Sequence, residues 1–556
     1  MNFPWLVLGV LGTAAIAGGA ARVTRQYAAA AIAGSAAILL LHSTFYFHYT
    51  SDDAYISYRY ARNLSEGFGL VWNPGQHVEG YSNLLWVEII AGLHYLGADI
   101  VLSGRWLGFA LAIVAAGGTY GLTRHLAGGP AGRVAGLVAA LLLASSGTWA
   151  LWASAGLEPP LFATLILAAV ALHLRERDHP LTPASGIVWG LAAMARPDAA
   201  VLVAVSGAFK LGDSALRARA ADGGVRGIAR EIATLLLWVA AFAIVFAPYF
   251  AWRYTTYGWL YPNTYYAKVG VGLDQYDRGL RYLAAFLEQS GGWLLLATPL
   301  AIALTSIRRG PALYVFALLA AWMAYVAYVG GDSLLRFRFF APLMPLFYAL
   351  AVASAAALVA AIDAGRAPTR RLAQATFVLV AAGAIAFTLQ PSSADSSLIV
   401  GERRAVSDRV EIGRWLRGSV PERTTVAAVP VGAIAYESRL TVIDMLGIND
   451  EHIAHRDVAL GDFPAGHEKY DSEYVLDRQP DIIILSDGLS AWPWTSADYA
   501  TLNGAFIPAI VDMLNSQRLA REYERRAVEI REGAWLNLYV RRGAVAVLEK
   551  TQAAPK

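Results

Sequence analysis

Long apolar runs broken by short polar turns fill the chain up to residue 389, and an α-helix that crosses a bilayer takes about 20 such residues. On that measure spans fall near residues 3–20, 28–48, 103–123, 133–150, 158–174, 184–196, 198–212, 231–251, 291–307, 312–329, 341–362 and 372–389. The pair at 184–212 is short and broken by "ARPD", the pattern of a re-entrant hairpin. Segment 84–97, "LLWVEIIAGLHYLG", is too short to cross and carries Glu88 and His94, which predicts a helix lying in the interface. Beyond 389 the hydropathy drops. There "TTVAAVPVGAIAY", "LTVIDMLG", "DIIILSD" and "WLNLYV" are apolar, β-branched runs bounded by turn residues, the pattern of strands. Between the spans and the first of these runs, 402–417 puts Val406, Val410 and Trp415 on one helical face.

Composition agrees with this division. Of 556 residues, 56% are hydrophobic and only 16% charged, against about 25% charged in soluble domains; mean hydropathy is +0.44. The predicted fold class is a polytopic α-helical membrane protein of about 12 spans (residues 1–396) followed by an extracytoplasmic soluble α/β domain (397–556). A net charge of +3 is too balanced to argue for a nucleic-acid partner. The absence of cysteine excludes disulfides and thiolate metal sites. The chain has no Walker loop, HExxH pair or internal repeat. Its first segment lacks the positive n-region of a cleaved signal and reads as a retained span.

Charge sets the orientation, because cytoplasmic loops collect Lys and Arg. With the turn at Arg22 and Arg25 inside, the inside loops hold Arg124 and Arg133, Arg175 and Arg177, Lys210 to Arg230, Arg308 and Arg309, then Arg366 to Arg371. The other face receives the opening loop (50–102), "SAGLEPPLF" (154–162), "ARPD" (195–198), "WLYPNTYYAK" (259–268) and "GGDSLLRFRFFAP" (330–342). Every motif-like polar segment thus falls on the extracytoplasmic side of a cell membrane.

Asp52 and Asp53 stand at the outer end of a span, just before "AYISYRYARNL". One carboxylate is enough to cap that helix. Two adjacent acids repel, and their pairing calls for a metal, a cationic partner or a proton-transfer role. Tyr58, Arg59, Glu79, Tyr81 and Asn83 follow in the same loop, residue types that stack on sugar rings and bind hydroxyls, although Tyr55, Tyr58, Tyr60 and Trp72 also suit an interface belt. Glu158 begins a span and reads equally as a helix-end charge or a site residue. In "MARPDA" the proline sets Arg196 near the membrane plane, as a functional charge or as the partner of Asp198. Asn263 and Lys268 of "YPNTYYAK", with Asp332, Arg336 and Arg338, gather cations at the outer leaflet, where they suit a lipid-borne phosphate or plain headgroup contact. His42, His48, His77 and His94 show no ligand spacing. "DMLGIND" (444–450) is the most distinctive stretch of the C-terminal domain, with Asp444 and Asn449 placed to reach the membrane part or to serve a turn.

The acidic pair in a first extracytoplasmic loop resembles the GT-C glycosyltransferases, polytopic enzymes that use polyprenyl-phosphate sugars. More narrowly, the order "DDAYISYRYARNL", "NPGQHVEGYSN", "SAGLEPPLF", "ARPD", "YPNTYYAK", "GGD" and "VIDMLGIND" is similar to the mycobacterial terminal arabinofuranosyltransferase family, from about residue 50 to about 455. The chain departs from that pattern in an extra span ahead of the acidic pair and in two arginines, Arg336 and Arg338, where one is expected. The resemblance implies transfer of a sugar, arabinofuranose in the first instance, from a decaprenyl- or undecaprenyl-phosphate donor to a cell-wall glycan or glycoprotein. Asp52 or Asp53 would be the base, with Arg196, Lys268, Arg336 and Arg338 on the phosphate. Tyr58, Arg59, Glu79, Tyr81, Asn83, Glu158, Asn263 and Asp332 would meet sugar or acceptor. No nucleotide is needed, and the acidic pair leaves room for a divalent cation (Mg, Mn or Ca). Alternatives are transfer of mannose or aminoarabinose to protein or lipid, and a lipid-linked sugar transporter, whose charges would spread toward the midplane.

Overall fold

The computed structural model describes residues 3–362, 383, 385 and 393–544, apart from 130, 221–223, 271, 293–294, 296, 306, 462 and 503–506. The membrane part runs α1 (Phe3–Thr24), α2 (Tyr27–Tyr46), α3 (Asp52–Ser65), α4 (Leu84–Tyr95), α5 (Ile100–Ala127), α6 (Ala131–Ser145), α7 (Gly147–Ser154) and α8 (Pro159–Glu176). It continues with α9 (Ala184–Ala195), α10 (Ala199–Ala220), α11 (Gly224–Tyr257), α12 (Asn263–Lys268), α13 (Leu273–Gln289), α14 (Ala297–Leu304), α15 (Arg309–Tyr328) and α16 (Met344–Ile362). Among the described residues, seven helices are long and apolar enough to cross a bilayer, or eight if α6 and α7, bent by 64°, form one span. The chain is a multi-pass membrane protein.

The difference from the expected 12 lies in short elements. At 1.5 Å per residue, α9 (12 residues) and α14 (8 residues) rise only about 18 and 12 Å, against a hydrocarbon core of about 30 Å. α1, at 22 residues, is not one of these short elements. The expected span 372–389 lies, but for two positions, outside the described residues. At "ARPD" the short α9 meets a full-length α10 of 22 residues, so only one arm of the expected hairpin is short. Pro197 accounts for the break: a residue before proline is driven out of the α region, and Arg196 is extended at φ −156°, ψ 127°. Segment 84–97 holds a single short helix, α4.

The C-terminal part is a five-stranded mixed sheet of order β2-β1-β3-β5-β4, with β1 Thr425–Ala428, β2 Thr441–Asp444, β3 Ile482–Ile484, β4 Tyr523–Arg531 and β5 Ala534–Arg541. β1 runs parallel to β2 and β3, and β5 runs antiparallel to β3 and β4. Parallel strands are buried on both faces, which is why they read as unbroken apolar runs. β4, "YERRAVEIR", mixes charge with apolar residues along a half-exposed edge, so its sequence carried no strand signal. One face of the sheet (Ala427, Ile443, Ile483) packs on its own helices. The opposite face (Val426, Val442, Ile482) joins the main core together with the helix Ser393–Ser419 and the short helix Gly432–Ser438.

The opening loop closes the free edge of this sheet. Asn73 pairs with Val442 as a neighbouring strand would: its Oδ1 accepts from Val442 N at 3.0 Å and its Nδ2 donates to Val442 O at 2.9 Å. The Trp72 indole donates to the same carbonyl at 2.9 Å. Arg59 Nη2 donates to Leu440 O at 2.7 Å, and Arg62 Nη1 to Tyr436 O at 2.5 Å. Both guanidinium groups are buried at this joint.

Candidate active site

A cavity of about 370 Å³ opens where α3, the loop before α4, the start of α8, the α9–α10 break, α12, the end of α15 and the 331–339 turn meet; Ile448 and Ala465 of the sheet domain close it. Asp53, at the first turn of α3, lies on its wall. A helix N-terminus favours anions there. One Asp53 oxygen faces Arg338 Nη1 at 3.4 Å and Lys268 Nζ at 3.8 Å. Burial alone would push the Asp53 carboxyl up, but Lys268 and Arg338, with His467 beyond them, outweigh it and hold the group below its ordinary 3.8.

The remaining charges of the cavity form two tight clusters. Arg196 donates through Nη1 to Glu158 Oε1 at 2.6 Å and through Nη2 to Asp198 Oδ2 at 2.7 Å. Arg338 donates through Nε to Asp332 Oδ2 at 2.7 Å. Glu158 also accepts from Asn83 Nδ2 at 2.8 Å, and Asn83 exchanges hydrogen bonds with Ser57. Lys268 is held more loosely: its 3.8 Å approach to Asp53 is longer than any of these contacts. Tyr81, Tyr261, Tyr265, Tyr325 and Tyr328 line the rest, a polar-tipped aromatic wall suited to sugar rings.

Of the residues singled out in the sequence, Asp53, Tyr81, Asn83, Glu158, Arg196, Lys268, Asp332 and Arg338 line this one cavity. Six others lie elsewhere. Asp52 faces the sheet domain, its Oδ2 accepting from Gly432 N and its Oδ1 from Ala433 N, both at 3.0 Å. Arg59 belongs to the domain joint, and Tyr58 is fully buried against Gly104 and Gly156. Glu79 pairs with Arg253 at 2.8 Å. Asn263 Nδ2 donates to Gly447 O (2.8 Å) and Ile448 O (3.0 Å), anchoring "DMLGIND" to the membrane part. Arg336 lies against Gly147 at the α6–α7 bend.

Asp444 Oδ2 accepts from the backbone and side-chain nitrogens of Asn449 within its own turn, while Asn449 reaches Tyr60 at 3.4 Å. Ser57, Tyr325 and Tyr328 escaped the sequence reading because serine and span-end tyrosines look ordinary there. Arg253 is different: an arginine at the outer end of a long membrane helix, just past the apolar run 231–251, is a boundary charge of the same kind as those singled out, a signal that was available.

The two aspartates do not converge on a shared cation. Asp52 meets two backbone amides and Arg409, whereas Asp53 meets Lys268 and Arg338. Among the described residues no group of three or more His, Asp or Glu is placed to hold a metal. These donors do not fit the divalent cation that the acidic pair suggested.

ArnT from Cupriavidus metallidurans superposes with a TM-score of 0.54 at 15% identity in its apo state, over 94% of this chain and 98% of that one. Bound to undecaprenyl phosphate it gives 0.53 at 14%, over 97% and 100%. The chain has the GT-C fold. The archaeal oligosaccharyltransferase AglB from Archaeoglobus fulgidus, in complex with an inhibitory peptide and a dolichol-phosphate, gives 0.50 at 12%, over 92% of this chain and 74% of that one. By sequence, the terminal beta-(1->2)-arabinofuranosyltransferase of Mycobacterium tuberculosis is 27% identical over 282 residues, 47% of this chain. The match spans 42% of that relative's own length. Residues 399–539 match a family described as Domain of unknown function (DUF8728).

Proposed function

We propose that this protein is a membrane glycosyltransferase that moves a sugar from a polyprenyl-phosphate donor to an acceptor hydroxyl, with Asp53 as general base. The observation that carries the reading is the placement of one ionised carboxylate and a loosely held lysine, 3.8 Å apart, on the wall of a cavity lined with tyrosines. In the reaction the acceptor oxygen attacks the anomeric carbon and passes its proton to Asp53. The bond from that carbon to the phosphate oxygen breaks, and its electron pair leaves with the lipid phosphate. General-base catalysis is worth about 10² to 10⁴ in rate. Lys268 and the Asp53-facing nitrogen of Arg338 meet the charge growing on the phosphate, the kind of fixed electrostatic stabilisation that often dominates. Arg196, already tied to two carboxylates, shapes the wall instead of binding phosphate. Asn83, Ser57 and Tyr81 offer hydrogen bonds to sugar hydroxyls.

Arabinofuranose as the sugar and a cell-wall glycan or glycoprotein as the acceptor are supported by the order of motifs and by the mycobacterial relative. The alternation of basic turns supports a membrane domain over 1–396 whose site, with the domain 397–556, faces outward. Both points are tested in right-side-out membrane vesicles supplied with radiolabelled β-arabinofuranosyl-phosphodecaprenol and an impermeant arabinan oligosaccharide outside. Labelled acceptor is expected with the wild type, and at least about a hundredfold less with Asp53→Asn. Labelled lipid crossing the bilayer with no glycosidic product would overturn the reading in favour of a transporter.

A further inference from the structure

The adjacent aspartates divide their work. Asp52 and Asp53 open the same helix, yet only Asp53 lies on the cavity. The Asp52 carboxylate accepts from the amides of Gly432 and Ala433, at 3.0 Å each, and stands 3.6 Å from Arg409 Nη1. Arg409 is buried and is itself fixed within the sheet domain: Nε donates to Asp487 O at 3.1 Å, Nη2 to the Asp487 carboxylate, and Nη1 lies 3.4 Å from Glu402. The fit at Gly432 is close enough to exclude a side chain, since a Cβ there would sit 2.1 Å from the Asp52 carbonyl oxygen.

The same domain also touches the far side of the Asp53 pair. Gly466, at φ +84°, packs on the Lys268 side chain, where an added Cβ would come within 2.9 Å of Cε. A rigid helix start offers Asp53 little freedom once its neighbour is fixed. Two separate pieces of the sheet domain, the first turn of the helix Gly432–Ser438 and the loop at 466, therefore contact the neighbour of the base and its lysine.

We infer that Asp52 is a positioning residue: through Gly432, Ala433 and Arg409 it transmits the seating of the sheet domain to the aim of Asp53. The inference rests on Asp53 being the base. It separates the acidic pair into one group that takes the proton and one that reads whether the second domain is docked. A displacement of about 1 Å at a reacting group can cost about a hundredfold in rate, so a latch of this kind controls turnover without touching substrate.

The chain has no cysteine, so spin labels at Tyr95→Cys and Glu532→Cys, both exposed, report the distance between membrane part and sheet domain in the purified full chain. Asp52→Asn and Arg409→Gln are each expected to broaden that distance distribution. Each should lower kcat about tenfold to a hundredfold with donor KM little changed. The double variant should be no worse than the weaker single one, because both changes open one latch. Asp52→Glu, which keeps the charge, should recover part of kcat together with a narrower distribution. If Asp52→Asn abolishes turnover while the distribution stays narrow, or if the two substitutions multiply, Asp52 acts in the chemistry and the inference fails. Failure of Asp53→Asn to lower transfer would instead remove the catalytic assignment, and the label distances would still report the docking.

Discussion

Asp53 keeps its charge in a half-enclosed site because two cations oppose the cost of burial. That balance gives a signed expectation for pH. In the proposed role of base Asp53 must be ionised, so transfer is expected to fall as pH drops through the Asp53 pKa, which Lys268 and Arg338 hold below 3.8. In Lys268→Met, burial is opposed by one cation fewer. The acid limb of the kcat/KM profile should then move to higher pH, and donor KM should rise with the loss of a phosphate contact. A limb that stays in place would show that Lys268 does not govern Asp53. At this scale Asp53 and Lys268, as charges worth singling out, were legible in the sequence, because charge at a membrane boundary is costly without a task. Which arginine of "RFRF" enters the site was not legible. Arg336 and Phe337 both adopt positive φ, 54° and 52°, and that turn sends Arg336 toward Gly147 and Arg338 toward Asp53 and Asp332. No spacing rule anticipates two consecutive left-handed residues without glycine.

Elements that the sequence placed well are those whose burial is two-sided or strongly periodic: α5, α15, the helix Ser393–Ser419 and the parallel strands β1, β2 and β3. The elements it missed owe their form to partners far along the chain. The opening loop illustrates this best: its Arg59 and Trp72 suggested a sugar or interface role and instead, with Asn73, complete the edge of β2, about 370 residues away. Asn73 pairs the amide of buried Val442 and shares its carbonyl with the Trp72 indole, so its loss orphans the amide. Leaving a buried amide unpaired costs about 1–3 kcal/mol. Asn73→Ala is therefore expected to lower the thermal midpoint of the detergent-purified protein and to speed limited proteolysis between the membrane part and the sheet domain. Asn73→Asp, which can still accept from Val442 N, should lose less. Equal stability of Asn73→Ala and wild type would show that the loop does not hold the sheet.

Viewed as a whole molecule, the chain gathers residues from α3, α8, α10, α12, α15 and the 331–339 turn around one cavity and seats a sheet domain over it. The arrangement suits the proposed lipid-borne donor, whose reactive phosphate would stay at the membrane surface while the acceptor arrived from water. A second cavity of similar size, lined by His173, Arg177, Phe209, Asp213 and Tyr314, lies at the opposite, arginine-rich ends of α8 and α10. The two cavities give the account its most direct test: an electron cryo-microscopy map of the full chain with polyprenyl phosphate bound. The phosphate is expected within about 4 Å of Lys268 Nζ, on the cavity wall shared with Asp53 and Arg338. Phosphate density beside Arg177, with the Asp53 cavity empty of lipid, would contradict it.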